Sequence, residues 1–226
     1  QTAPMLNLNH PRAVALMVVN AFLWATAGVV TRQLESAASF EVTFWRSLFT
    51  LLTLIVVLPK LGGADFWPGL RRAGPLLWLS GLCWSVMFTA FMIALTLTSV
   101  ANVLITLALG PLFTALVARA VTGQAIPLRT WLAIALAGLG IAWMFSEQWG
   151  GDGVIEGMTV ALGVPIAASI HWTVMQHASQ KGLSIDLAPA VMIGALLSCL
   201  LTLPWAWPLQ GSASDVSWLA LLGVFQ

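Results

Sequence analysis

The sequence predicts an all-α polytopic membrane protein, and three observations carry that prediction. Charged residues are 8% of the chain and apolar residues 59%, whereas a soluble domain carries about 25% charged residues. The apolar residues gather into long runs divided by short polar links, and a helix needs about 20 such residues to cross a hydrocarbon core. The Lys and Arg residues concentrate on alternate links, the asymmetry that orients a membrane protein. A net charge of +1 and the lack of a basic patch exclude a nucleic-acid partner. Cys83 and Cys199 both lie inside apolar runs, so free thiols packed as small apolar groups are expected.

The elements follow in order. Residues 1–12 form a polar tail, in which the residues before Met5 read as a cloning remnant. Ala13–Val30 is too long for a signal h-region and reads as a retained span. The second span, Phe40–Leu58, stops at Pro59, and the link Lys60–Arg72 follows. The third and fourth spans, Pro75–Leu97 and Val100–Val121, are joined by a turn at Thr98 and Ser99. Thr130–Phe145 is a fifth, Ala- and Gly-rich span. The loop Ser146–Gly153 divides the chain into a first unit, 13–146, and a second, 147–226. Met158–Gln176 and Leu187–Trp207 are the sixth and seventh spans. Val216–Phe225 begins an eighth, too short to cross a core that takes about 20 residues. The expectation is a chain truncated within the third helix of its second unit.

Placing the N-terminus in the cytoplasm puts Arg12, Lys60, Arg71, Arg72, Arg119, Arg129 and Lys181 inside. Arg32 and the acids Glu35, Glu147, Asp152 and Asp215 then lie outside. Five spans before the dividing loop would insert the second unit upside down relative to the first, the arrangement that builds midplane sites in many carriers.

Candidate site residues follow from helical spacing. Asn102, Thr106, Gly110 and Thr114 recur every four residues and so share a helix face, drifting about 40° per step. Pro111 frees the carbonyl of Leu107, which is tolerable only against protein or a wet cavity. The stripe either lines a cavity or serves as interhelical contact, for which small polar residues are common. Twelve tryptophans and no tyrosine are present. Trp67, Trp78, Trp131, Trp149, Trp205, Trp207 and Trp218 end apolar runs and read as interfacial anchors. Trp24, Trp84 and Trp172 fall mid-run, where an indole N–H needs a partner.

Asn20 shares a face with Trp24, Ser80 with Trp84, Phe88 and Met92, and Ser169 with Trp172, Gln176 and Pro165. Half-buried indoles converging with Asn and Ser suit an amphipathic organic solute, though packing would explain any one Trp as well. His171, an ionisable group near a helix centre, could carry a coupling proton or bind a carboxylate; a neutral imidazole bonded to backbone is the alternative. Arg46 lies close enough to a helix end to snorkel, with Glu41 as a structural partner or with a role as an anion gate.

Four segments carry a family resemblance: AFLWATAGVVTR (21–32), FWRSLFTLL (44–52), ALTLTSVANVLITLALGPLFTALVAR (94–119) and WLAIALAGLGIAWM (131–144). They resemble the EamA-type branch of the drug/metabolite transporter superfamily in its small-residue first helix, its second-helix Arg, its proline-bearing fourth helix and its glycine-spaced fifth. The family usually closes the fourth helix with a Glu, where this chain reads Val121-Thr122-Gly123-Gln124. The resemblance implies a ten-helix transporter of two inverted five-helix repeats, with about seven complete helices and part of an eighth in this chain. It implies alternating access around a central cavity and a bacterial inner-membrane location. Within the branch, the Trp-rich, Tyr-free helices look most like YddG-type amino-acid exporters.

The expected substrate-binding residues are therefore Asn20, Trp24, Trp84, Phe88, Asn102, Thr106, Ser169, His171 and Trp172. Arg46, Gly110, Pro111 and Pro165 are expected to gate or shape the helices. The expected partners are a small-molecule substrate, amino acids with aromatic ones among them, and the lipid bilayer, with the protein monomeric. No cofactor, metal or catalytic residue is expected. The alternatives are a passive uniporter or an exporter of drugs or nucleotide-sugar-like solutes. More distant is an intramembrane enzyme, for which neither H-E-x-x-H nor G-x-S-x-G is present.

Overall fold

Proline and glycine set the ends of the helices. In the computed structural model, which describes residues 10–34, 36–63, 66–72, 74–123, 126–146, 154–182 and 188–225, no strand occurs among the described residues. The predicted tail before residue 10, the dividing loop at 147–153, and Gln124 lie outside them. Helix α1 spans His10–Thr31 and α2 spans Ser39–Gly62. Pro59 does not end α2, because the helix continues one turn and closes when the Gly63 N–H bonds the Pro59 carbonyl, with Gly63 at φ +66°. That left-handed position suits glycine, which has no Cβ to clash. After the short α3 (Phe66–Arg71), α4 runs from Pro75 to Leu97. Proline at its first position costs nothing there, since that N–H has no helical acceptor.

Helix α5 (Val100–Leu107) starts at Ser99, whose hydroxyl accepts the Asn102 N–H at 3.2 Å, a side-chain N-cap. Helix α6 (Gly110–Thr122) ends at Gly123, φ +70°, which bonds back to the Arg119 carbonyl. Then follow α7 (Leu128–Ser146), α8 (Val154–Ala161), α9 (Gly163–Gln180), α10 (Ala188–Ala206) and α11 (Ala213–Phe225).

Two predicted spans are interrupted. Val100–Val121 breaks at Ala108 and Leu109, where N–H groups reach the carbonyls of Ile105 and Thr106, three residues back. Pro111 follows directly, and its ring and missing N–H disfavour the preceding turn. The sixth span is divided at Leu162, three residues before Pro165, although the Leu162 N–H there keeps its bond to the Met158 carbonyl four residues back. Among the described residues, six stretches are long and apolar enough to cross a membrane: 14–31, 39–62, 75–97, 100–121, 154–180 and 188–206. The predicted fifth span falls on α7, of which Leu128–Gly140 forms a shorter apolar helix, and the eighth falls on α11. Met17, Phe22, Leu132, Leu136 and Trp143 on α1 and α7 are exposed, the surface that lipid covers in a polytopic protein.

Helix α4 is the hub, packed against α10, α9, α8 and α2. Its approach to α10 depends on Gly81 and Gly194, because a Cβ at Gly194 would overlap Trp84 Cβ and press on the Gly81 carbonyl and Ser85 amide, both 3.1 Å away. Small residues are what let membrane helices come this close. Gly194→Val is expected to force the pair apart and destabilise the protein by about 1–3 kcal/mol. Thermal unfolding in detergent checks this, and an unchanged midpoint would mean that the two helices separate freely. On the other side, α11 sits on α2, with Gly223 so close that a Cβ would lie 2.6 Å from the Arg46 carbonyl.

Candidate functional site

A chain of rings and polar groups crosses the bundle between α2, α4 and α9. It begins at Arg46 on α2, which is 1% exposed, with its guanidinium carbon 4.8 Å from the centre of the Phe88 ring on α4. Phe88 meets Trp84 one turn away at 5.4 Å. Trp84 meets His171 on α9 edge-on at 5.8 Å, and His171 meets Trp172 at 4.6 Å. His171 Nδ1 lies 3.0 Å from Ser80 Oγ, a buried bond between α9 and α4. The predicted face Ser80–Trp84–Phe88 is thus present, and it meets His171 and Arg46. Met92, a turn further on, belongs instead to the apolar core with Ala27, Val42 and Leu219.

The cluster is rich in hydrogen-bonding atoms that lack partners. Arg46 Nε, Trp84 Nε1 and His171 Nε2 are all buried and unbonded, as are the neighbouring Ser85 Oγ and Thr173 Oγ1. Most buried polar atoms in proteins are bonded, so each exception needs an explanation. Beside the cluster, Ser198 on α10 ties the helices together, with its hydroxyl 3.0 Å from Ser47 Oγ and 2.8 Å from Thr89 Oγ1.

The fourth-span stripe divides into two parts. Asn102 Nδ2 donates to Thr98 Oγ1 at 2.9 Å, and Thr98 lines a cavity of ≈ 470 Å³ at the end of the bundle where α4 turns into α5. Thr31, Arg32, Ala37, Leu97 and Ser99 also line it. Asn102 Oδ1 is buried without a partner, and Thr106 Oγ1 donates to the Asn102 carbonyl. The other half of the stripe is interhelical contact. Thr114 Oγ1 lies 3.1 Å from Ser169 Oγ, and Ser169 donates to the Pro165 carbonyl and approaches that of Gly110.

Three expectations need correction. Arg46 does not snorkel and is not paired with Glu41, because α11 and α4 cover it and Glu41 is occupied elsewhere. Glu41 accepts from Trp45 Nε1 and from the amides of Gln210 and Gly211. Ser169, Trp172 and Gln176 do not form one buried face: Ser169 is held between α9 and α6, whereas Gln176 is exposed and Trp172 is 54% exposed. Trp172 lies at the rim because it follows His171 by one residue, about 100° around the helix. Asn20 is exposed on α1, and the half-buried Trp24 packs on Phe91 at 6.0 Å. Neither belongs to the Arg46–His171 cluster. The partnership of Glu41 is not readable from spacing, since two of the donors it accepts from lie 169 and 170 residues further along the chain.

The profile of the EamA-like transporter family matches residues 11–146, more than half of the chain. The chain belongs to the EamA-like transporter family. No curated protein gives a significant match. The family is one of membrane transporters of small solutes. The matched segment carries Arg46, Trp84, Phe88, Asn102 and Thr106; His171 and Trp172 lie beyond it. The ring cluster therefore joins the matched part of the transporter to the helices that follow.

Proposed function

We propose that this EamA-like transporter exports small metabolites, amino acids with aromatic members among them, across a bacterial inner membrane. The motion is alternating access of two inverted five-helix repeats, the first at 13–146 and the second beginning at 147, with the N-terminus in the cytoplasm. The observation that supports this reading is the set of buried, unbonded groups along aromatic rings: Trp84 Nε1 and His171 Nε2 beside Phe88 and Trp172. Such groups offer hydrogen bonds to a polar head while ring faces take an apolar side chain or an ammonium. The solute cavity at the midplane of inverted-repeat carriers has this composition of few polar groups on an apolar wall.

The test is counterflow in liposomes holding the full-length protein, with amino acids, sugars and cationic drugs offered in parallel. Saturable counterflow of phenylalanine and tryptophan is the expected result. Failure to move any amino acid would sink the substrate assignment and leave the family membership standing.

A further inference from the structure

We propose that Arg46 is the counter-charge for a carboxylate on the transported solute, so that the site selects organic monoanions and zwitterions over cations and dianions. This rests on the reading of the Arg46–His171 cluster as the solute site. Arg46 is the largest fully buried side chain on α2, itself a candidate span. A guanidinium keeps its charge at neutral pH, and buried charges are ordinarily paired. Both buried acids among the described residues are committed to other donors. Glu41 holds Trp45 and the Gln210–Gly211 backbone. Asp215 holds the amide and hydroxyl of Ser36 and the amide of Ser212.

What Arg46 has is the face of Phe88 at 4.8 Å, whose quadrupole attracts a cation but does not neutralise it. Its Nε carries no hydrogen bond. The edge formed by Nε and a terminal nitrogen is the one that holds a carboxylate through two parallel bonds. An intramembrane charge left open in this way marks a solute path.

The charge count limits the solute further. Arg32, Lys60, Arg71, Arg72, Arg119, Arg129 and Lys181 are all exposed, so among the described Lys and Arg residues Arg46 is the buried positive charge, and it stands alone in the cluster while His171 is neutral. One cation balances a carboxylate and leaves a phosphate dianion with an uncompensated charge. Trp84 Nε1, next along the ring series, is a further buried and unbonded donor for another polar group of the solute.

The test compares three analogues that share a phenyl ring: 3-phenylpropionate has the acid without the amine, phenethylamine the amine without the acid, and phenyl phosphate a dianion. Binding to the full-length protein is read by calorimetry in detergent, and competition by phenylalanine counterflow in liposomes. The acid should bind more than about tenfold tighter than the amine or the phosphate, since a site built for one polar group rejects analogues lacking it. Arg46→Gln should abolish that preference and raise the KM for phenylalanine, and Arg46→Lys should restore part of it. Equal binding of acid and amine overturns the proposal, as does binding of neither, a preference for the phosphate, or an unchanged preference in Arg46→Gln. The comparison in the unmodified protein decides the matter even where a variant fails to fold. Absence of phenylalanine counterflow with the acid preference intact would count against the amino-acid reading alone.

Discussion

Glu41→Ala should destabilise the protein by about 3 kcal/mol or more, since each buried donor left unsatisfied costs roughly 1–3 kcal/mol. The carboxylate is 1% exposed and accepts three N–H groups: Trp45 Nε1 at 3.1 Å, Gln210 at 3.0 Å and Gly211 at 2.8 Å. The last two belong to the link between α10 and α11, so one side chain at the start of α2 fixes the entry to α11. Alanine would orphan all three donors and free that link, and α11 would lose the anchor that holds Gly223 against α2. Glu41→Gln keeps one acceptor oxygen and should lose about half as much. Thermal unfolding in detergent, together with limited proteolysis at 207–212, measures both effects. A Glu41→Ala protein that unfolds at the same temperature and resists cleavage would show that the three bonds contribute nothing.

That link illustrates which parts of the architecture can be read from sequence. Span positions are local properties of hydropathy and proline, and they are legible: the turn at Thr98–Ser99 and the start of α4 at Pro75 stand where spacing puts them. The breaks at Ala108–Leu109 and Leu162 are half legible, because Pro111 and Pro165 announce a lost bond but do not say whether the helix bends or stops. Partnerships between distant segments are not legible. Nothing near Glu41 points to Gln210, so its proximity to Arg46 in sequence suggests an ion pair that does not form.

The site divides in the same way. The α4 face of Ser80, Trp84 and Phe88 follows from four-residue spacing and is present. The opposition of Ser169 and His171, two residues apart and so about 200° around the helix, is also readable: one meets Thr114 on α6 and the other Ser80 on α4. The depth of Arg46 is not readable, because it depends on Gly223 letting α11 lie directly on the Arg46 backbone. Glycine-mediated closeness has no periodicity of its own.

His171→Gln separates the two roles open to the imidazole and should have a large effect on one of them. His171 is 1% exposed, with Nδ1 on Ser80 and Nε2 unbonded. Its ring fills the space between Trp84 and Trp172. It is the described imidazole buried within a span; His177 sits in the last turn of α9 and is only half-buried. Imidazole changes charge near neutral pH, and an amide does not. Glutamine can still bond Ser80 and fill most of the space, so stability should stay within about 1.5 kcal/mol, as for other near-isosteric core exchanges. If His171 carries the coupling proton, counterflow in liposomes holding the unmodified protein responds to an imposed pH gradient. The His171→Gln protein then shows no such response, while its solute exchange without a gradient persists. His171→Ala should in addition lose exchange by more than about tenfold, because a misplaced site wall costs of that order or more. A pH-gradient response that survives in His171→Gln removes the imidazole from coupling and leaves it as the clamp between α4 and α9.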